Sequence, residues 1–263
     1  MKNTTITKEL ANHLKDLHLP TVRKCFEEEA DLARGESLSY ENYLFELTRQ
    51  ECEARWHNRI ERFLRESCLP LEKSFENFDF KRLPSNIANQ VSVLKEGSFL
   101  NRCENVLAFG NPGSGKTHLL CAIGLELVRQ GRRVLFTRTS LLVEDLLCAK
   151  RDLKLDRLLK RLGKYEAIII DDIGYVQQDR EEMEVLFTLL ADRYERASIM
   201  LTSNLPFSKW ELIFKDPMTT AAAIDRLVHH SIILELNLGS YRLEHSKKQK
   251  KKEVVTEKKT AVS

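Results

Sequence analysis

The octapeptide Gly110-Asn111-Pro112-Gly113-Ser114-Gly115-Lys116-Thr117 fits the pattern G-x-x-x-x-G-K-[ST]. An apolar run, Asn105-Val106-Leu107-Ala108-Phe109, leads into it, and a helix-like run from His118 to Gln130 leads out. The order is therefore strand, glycine-rich loop, helix. Glycines let such a backbone wrap a phosphate with its N–H groups pointing inward, and the helix N-terminus adds partial positive charge. In this reading Lys116 reaches the β- and γ-phosphates of ATP and the Thr117 hydroxyl binds Mg²⁺.

A phosphate loop of this kind needs an acidic station for the metal. Ala167-Ile168-Ile169-Ile170-Asp171-Asp172 supplies one, 55 residues after Lys116. Four apolar residues predict a buried strand whose carboxylates emerge at its C-terminal end, where open α/β sheets bind ligands. Asp171 is the expected Mg²⁺ station, direct or through water, and Asp172 is placed to orient or activate an attacking water. The next strand, Ser198-Ile199-Met200-Leu201-Thr202-Ser203, ends at Asn204. Its amide either positions that water or turns the chain before Leu205-Pro206. Asp225-Arg226-Leu227 closes a helix before the last strand. Arg226 is either an arginine finger reaching a neighbouring subunit's nucleotide or the partner of Asp225.

Outward from these motifs, the apolar segments 104–109, 133–137, 167–171, 198–203 and 231–236 read as strands with helices between them. That alternation predicts a parallel sheet covered on both faces. Ser208-Lys209-Trp210-Glu211 reads as a capping box, and Asp216-Pro217 opens a helix running to about Val228. The first 70 residues read as helical. Leu10, Leu14 and Leu17 mark one helix that stops before Pro20, and Val22 to Ala33 form a second, broken at Gly35-Glu36-Ser37. A long third helix, about 39–67, has an apolar stripe of Tyr43, Leu47, Trp56, Ile60 and Phe63, with Trp56 read as core. Another face carries Arg55, Arg59 and Arg62. These arginines either contact phosphates of double-stranded DNA or pair with Glu51, Glu53 and Glu61 on a solvated face. Residues 70–85, with Phe75, Phe78 and Phe80, read as an extended linker docking on the next domain.

The 263 residues suit one full domain and a smaller one. With 42% hydrophobic and 31% charged residues the composition is that of a soluble globular protein. No apolar run approaches a membrane span, and the N-terminus does not read as a signal peptide. The six cysteines are scattered without a C-x-x-C, which points to reduced thiols in the cytosol. Residues 246–263 hold seven lysines and two glutamates, a net +5 in a chain whose total is +3, so the remainder carries −2. This basic tail is expected to be disordered, either merely solvated or tethering nucleic acid.

Taken together, the P-loop, I-I-I-D-D-I-G at 168–174, T-S-N-L at 202–205, D-R-L at 225–227 and G-S-Y-R at 239–242 resemble the AAA+ ATPases. The chain is similar, through nearly its whole length, to the transposition-helper ATPases of the IstB type, relatives of the DnaC helicase loaders and the DnaA initiator. Ser39-Tyr40-Glu41, Glu51, Arg55 and Arg59, the segment Ser74-Phe75-Glu76-Asn77-Phe78-Asp79-Phe80 and Gly115-Lys116-Thr117-His118-Leu119 carry that closer likeness. The resemblance implies that Asn204 is the sensor 1 residue, that Arg226 is the arginine finger, and that Arg242 lies near the nucleotide or an interface. It implies that two helices, about 140–149 and 152–163, are the insertion of the initiator and loader clade. That insertion favours ring or helical homo-oligomers around DNA, and here carries Lys154, Lys160 and Arg161 as DNA contacts beside Lys150, Arg151 and Lys164. It also implies a transposase of the same mobile element as partner, and a bacterial cytosolic, nucleoid-associated location.

The expected organisation is a helical N-terminal domain for DNA or partner binding (1–70), a linker (71–85), an AAA+ ATPase domain with a parallel five-stranded sheet and no separate lid domain (86–243), and the basic tail (244–263). The Asp-Asp pair departs from the Asp-Glu of many AAA+ proteins, which bears on hydrolysis rate more than on ATP binding. Two other functions share the core: a replicative helicase loader of the DnaC type, and a P-loop small-molecule kinase. A kinase would need an acceptor pocket and a lid, and would leave Asn204 and Arg226 without a shared purpose.

Overall fold

A computed structural model of the chain describes residues 2–173, 180–210 and 217–241. Arg242, the basic tail and most of the segment that the 208–211 capping box would open lie outside these residues. The contacts divide the chain into two compact units, Met1–Arg62 and Phe63–Ser263. The division falls at 62/63, inside the third helix, and not at residue 70. The physical reason is that Phe63 and Leu69 are buried in the same apolar core as Leu83, Ile87 and Val91.

The larger unit is built on β1 (Asn105–Gly110), β2 (Val134–Arg138), β3 (Ala167–Ile173), β4 (Ser198–Ser203) and β5 (Ser231–Leu236). All pairings are parallel, in the order β2-β3-β4-β1-β5. The side-chain period of two splits each central strand between two cores. Val106, Ala108, Ala167, Ile169 and Met200 face one core, and Leu107, Phe109, Ile168, Ile170, Ile199 and Leu201 face the other. These near-continuous apolar runs are stable only because helices cover both faces.

Chain direction decides which helix covers which face. From β1 to β2 the chain crosses the sheet one way, and through β3, β4 and β5 it returns the other way. A constant right-handed crossover then puts the first connecting helix on one face and the later ones on the opposite face. Accordingly α6 (Lys116–Arg129) packs in the first core with α4 (Ser85–Lys95) and the short α5 (Ser98–Asn101). On the other side lie α7 (Thr139–Arg151), α8 (Leu155–Leu162), α9 (Arg180–Arg193) and α10 (Pro217–Val228). The reversal occurs beside β1, so the loop after β1 opens at the switch point of the sheet.

Residues 70–85 are not extended. They fold into two 3₁₀ turns, Phe75–Asn77 and Phe80–Arg82. Phe75 and Phe78 pack against the α6-side core, and both rings contact Phe80, at 5.4 and 5.3 Å between centroids. The turns cost little here because the Asp79 carboxylate accepts the Lys81 N–H at 3.2 Å.

The smaller unit contains α1 (Lys2–Asp16), α2 (Pro20–Glu36) and most of α3 (Tyr40–Ser67). Its core is Leu14, Val22, Phe26 and Leu47, with Tyr43 beside them. Helix α2 continues through Gly35, and the break comes at Ser37, which takes φ 55° and donates its N–H to Ala33 O. Trp56 is not core; it is 48% exposed, with the Arg59 guanidinium 5.8 Å from its ring centre. The cause is position: α2 starts level with Glu51, and five residues farther along α3, about 7.5 Å, its flank is past. No helix of the described residues is long and apolar enough to cross a membrane, and all six cysteines are free thiols.

Glu51 is the polar anchor of this unit. Its buried carboxylate accepts the N–H groups of Thr21 at 2.8 Å and Val22 at 3.2 Å, capping the first turn of α2, and takes Arg55 Nε at 2.8 Å. Arg55 also donates to His18 O. Burial pushes the Glu51 carboxyl up, but Arg55 and the two amides outweigh it, so the net shift is below the ordinary 4.5. A depressed folded-state value means that this contribution is complete above about pH 4.5 and is lost as pH falls through the folded value. Glu51→Ala is expected to cost about 1–3 kcal/mol by leaving buried donors without an acceptor. Hydrogen exchange at the Thr21 and Val22 amides checks it: protection should fall in the variant, and in the native chain as pH falls through the lowered Glu51 value.

Candidate nucleotide-binding site

Strand β1 ends at Gly110, whose φ is +146°; a Cβ there would stand 2.1 Å from Leu236 O on β5. Gly113 has φ +78°, and a Cβ would meet Ser240 Oγ at 2.3 Å. Both positions are thus closed to side chains by backbone conformation and by crowding. The loop Asn111-Pro112-Gly113-Ser114-Gly115 then feeds directly into α6, whose first residues are Lys116 and Thr117.

Lys116 is buried, and its ammonium donates to Gly110 O and Asn111 O at 2.9 Å each and to Asn204 Oδ1 at 2.6 Å. Thr117 Oγ1 donates to Asp171 Oδ1 at 2.7 Å. Thr202 Oγ1 donates to the same oxygen at 2.7 Å, and Thr139 Oγ1 donates to the Asp171 carbonyl at 2.9 Å. In the β3–β4 register Ile170 faces Leu201 and Ile173 faces Ser203. Asp171 and Asp172 therefore share the single position opposite Thr202, which is a β-bulge. Asp172 takes φ 61°, its N–H donates to Thr202 Oγ1 at 2.8 Å, and its side chain is exposed.

The loop, Lys116, Thr117, Asp172 and Asn204 line one open cavity of about 340 Å³. Its other wall was not legible as a site: Lys73, Asn77, Phe78 and Arg82 come from the segment read as a linker, and Leu238 and Tyr241 from beyond β5. Phe78 meets the His118 ring edge-on at 5.2 Å, and His118 Nε2 lies 2.9 Å from Ser74 O. Arg82 donates to Gly239 O at 2.8 Å and lies 5.3 Å from the Tyr241 ring centre, while Tyr241 N donates to Gly113 O at 2.9 Å. The three phenylalanines at 75, 78 and 80 point to docking on the next domain, but not to a wall of the cavity.

Several features fit a phosphate chain with a divalent cation. Ser114 Oγ is buried and makes no hydrogen bond among the described residues. Loop N–H groups meet the N-terminus of a 14-residue helix. Thr117 and Asp171 form a hard-oxygen pair suited to Mg²⁺.

The remaining candidates fall elsewhere. Arg226 does not line the cavity; its guanidinium lies 4.8 Å from the Phe187 ring centre and donates to Ala222 O at 3.3 Å. Arg55 bonds Glu51 and His18, and it is exposed, as are Arg59 and Arg62. Lys160 and Arg161 are exposed on α8, and Lys154 pairs with Asp152 at 3.1 Å. Lys150 and Arg151 face Glu184 at 3.0 Å and Glu181 at 3.9 Å on α9, acids that a count within the insertion alone overlooks.

The fold is that of helicase loaders and replication initiators. A DnaC helicase loader superposes with TM-score 0.55 at 18% identity, covering 63% of this chain and 97% of that one. The AMPPCP-bound DnaA from Aquifex aeolicus does so at 0.54 and 20%, covering 71% and 57%. Sequence relatives span nearly the whole chain. An insertion-sequence ATP-binding protein of Sinorhizobium fredii is 44% identical over 241 residues, 91% of this chain and 81% of the relative. One of Geobacillus stearothermophilus is 37% identical over 237 residues, 90% and 94%. Residues 12–249 match the family described as IstB-like ATP binding protein, and the chain is a member of that family.

Proposed function

We propose that this protein is an ATP-dependent, DNA-binding AAA+ ATPase that assembles as a homo-oligomer on double-stranded DNA and helps the transposase of its mobile element capture a target. The observation that carries the reading is that Lys116, Thr117, Asp172 and Asn204 line one cavity, with the buried Asp171 bonded to Thr117 behind it, in a chain whose relatives are ATP-binding proteins of insertion sequences.

Mg²⁺, when bound, supplies charge neutralisation across the β- and γ-phosphates. The chain's own residues do the rest. Loop N–H groups and Lys116 hold the phosphates. Thr117 and Asp171 hold the metal's side of the site. Asn204, now bonded to Lys116, turns to the water that attacks the γ-phosphorus, and Asp172 takes that water's proton. The bond to the β,γ-bridging oxygen breaks and ADP leaves. Arg226, absent from its own chain's cavity, serves the cavity of the neighbouring subunit. Arg59, Arg62, Lys160 and Arg161 contribute to DNA contact, with Lys154 released from Asp152 when phosphate competes. Arg55 contributes by holding α2 in place. Hydrolysis resets the assembly and cuts no DNA.

Lys116→Ala is expected to abolish Mg²⁺-dependent ATP binding by calorimetry and, with it, ATP-dependent assembly on DNA; retained binding would refute the site. Arg226→Ala should bind ATP normally and hydrolyse it about 10³-fold more slowly. Mixing it with Asp172→Asn subunits, which keep the phosphate loop and Arg226 but lose the residue that takes the water's proton, should restore part of the turnover, whereas no recovery would place Arg226 outside a shared site. Reversing Arg59 and Arg62 to glutamate should weaken DNA binding and flatten the dependence of log K on log salt by about two charges. An unchanged slope would return these arginines to a solvated face.

A further inference from the structure

Thr202 has no part in the reaction outlined above, yet its hydroxyl touches both members of the acidic pair. It is fully buried on β4. A hydroxyl has one proton and two lone pairs. The proton goes to Asp171 Oδ1 at 2.7 Å, since a carboxylate can only accept, and a lone pair receives the Asp172 N–H at 2.8 Å. Both uses are dictated by the partners.

These two bonds sit at the bulge, where Asp171 and Asp172 together face Thr202. The first holds the Asp171 carboxylate with Oδ1 toward Thr117, the hydroxyl on the metal's side of the site. The second supports the Asp172 backbone at φ 61°, a conformation disfavoured for residues with a Cβ, though less for aspartate than for most. That backbone turn sends the Asp172 side chain out of the sheet and into the cavity, while its neighbour stays in. One side chain on the adjacent strand therefore sets the direction of two carboxylates with different tasks.

We infer that Thr202 is a positioning residue that tunes the affinity of the site for its divalent cation through Asp171 and aims Asp172 through the bulge. The inference rests on reading the cavity as a Mg²⁺–ATP site. Groups that orient a ligand or its hydrogen-bond partner typically govern metal affinity by 10- to 100-fold. Thr202→Val keeps the shape and removes the proton and lone pairs; Thr202→Ser keeps the hydroxyl.

The experiment is calorimetric titration of the full chain with a non-hydrolysable ATP analogue, with and without Mg²⁺, alongside steady-state ATP turnover. In the absence of Mg²⁺ all three proteins should bind the analogue alike. With Mg²⁺, T202V should lose about 10-fold or more of the gain in affinity and T202S should keep most of it. Turnover at saturating Mg²⁺ and ATP should stay depressed in T202V, because Asp172 is misdirected. A Mg²⁺ gain in T202V equal to that of the native chain overturns the inference. Should T202V fail to fold, T202S and T202C decide: the thiol, a weak donor, must lose the Mg²⁺ response that serine keeps, and equal responses overturn it. Native protein that binds no analogue even with Mg²⁺ would instead sink the ATPase reading itself.

Discussion

A carboxylate at the dry end of β3 organises this protein. Asp171 is 7% exposed and follows four apolar residues with no access to water. A charge in such a place is tolerated only where hydrogen bonds replace its lost hydration. Hydroxyls provide them from the first turn of α6 and from β4, and a third, at the start of α7, takes its carbonyl. Three elements distant in sequence are thereby brought to one point with little freedom of rotation. The cost of burying the acid is returned as geometry: the phosphate loop, the end of β4 and the acidic pair are held in register before any ligand arrives.

The central sheet was readable because its signals are local. Near-continuous apolar runs between helix-length segments predict strands 198–203 and 231–236 with the bounds observed, and the other three within two residues. The phosphate loop was readable because glycine, lysine and threonine at fixed spacing have few other uses. What could not be read depends on partners far along the chain. Whether Trp56 is core depends on where α2 begins, not on the period of α3. The wall formed by Phe78 and Arg82 arises from contacts with His118 and Gly239, 40 and 157 residues away. The bulge at Asp172 is invisible in a run of isoleucines and aspartates, since only the register against β4 reveals that two residues face one.

The charged face of α3 illustrates the same limit. Spacing alone makes Arg55, Arg59 and Arg62 equivalent, but the fold does not. Arg55 neutralises the acid that caps α2, so its charge is already answered inside the helical unit. The acids that answer Lys150 and Arg151 come from α9, beyond β3. Counting charges within one element overstates its positive potential wherever a neighbouring helix supplies the opposite sign.

The hydrogen bonds of Lys116 have one more consequence. Its ammonium satisfies itself on two loop carbonyls and on Asn204, so an incoming molecule must outbid three good acceptors at once. Any group that draws the ammonium away from these acceptors also breaks its bond to Asn204, so the loop and the amide at the end of β4 are tied through one side chain.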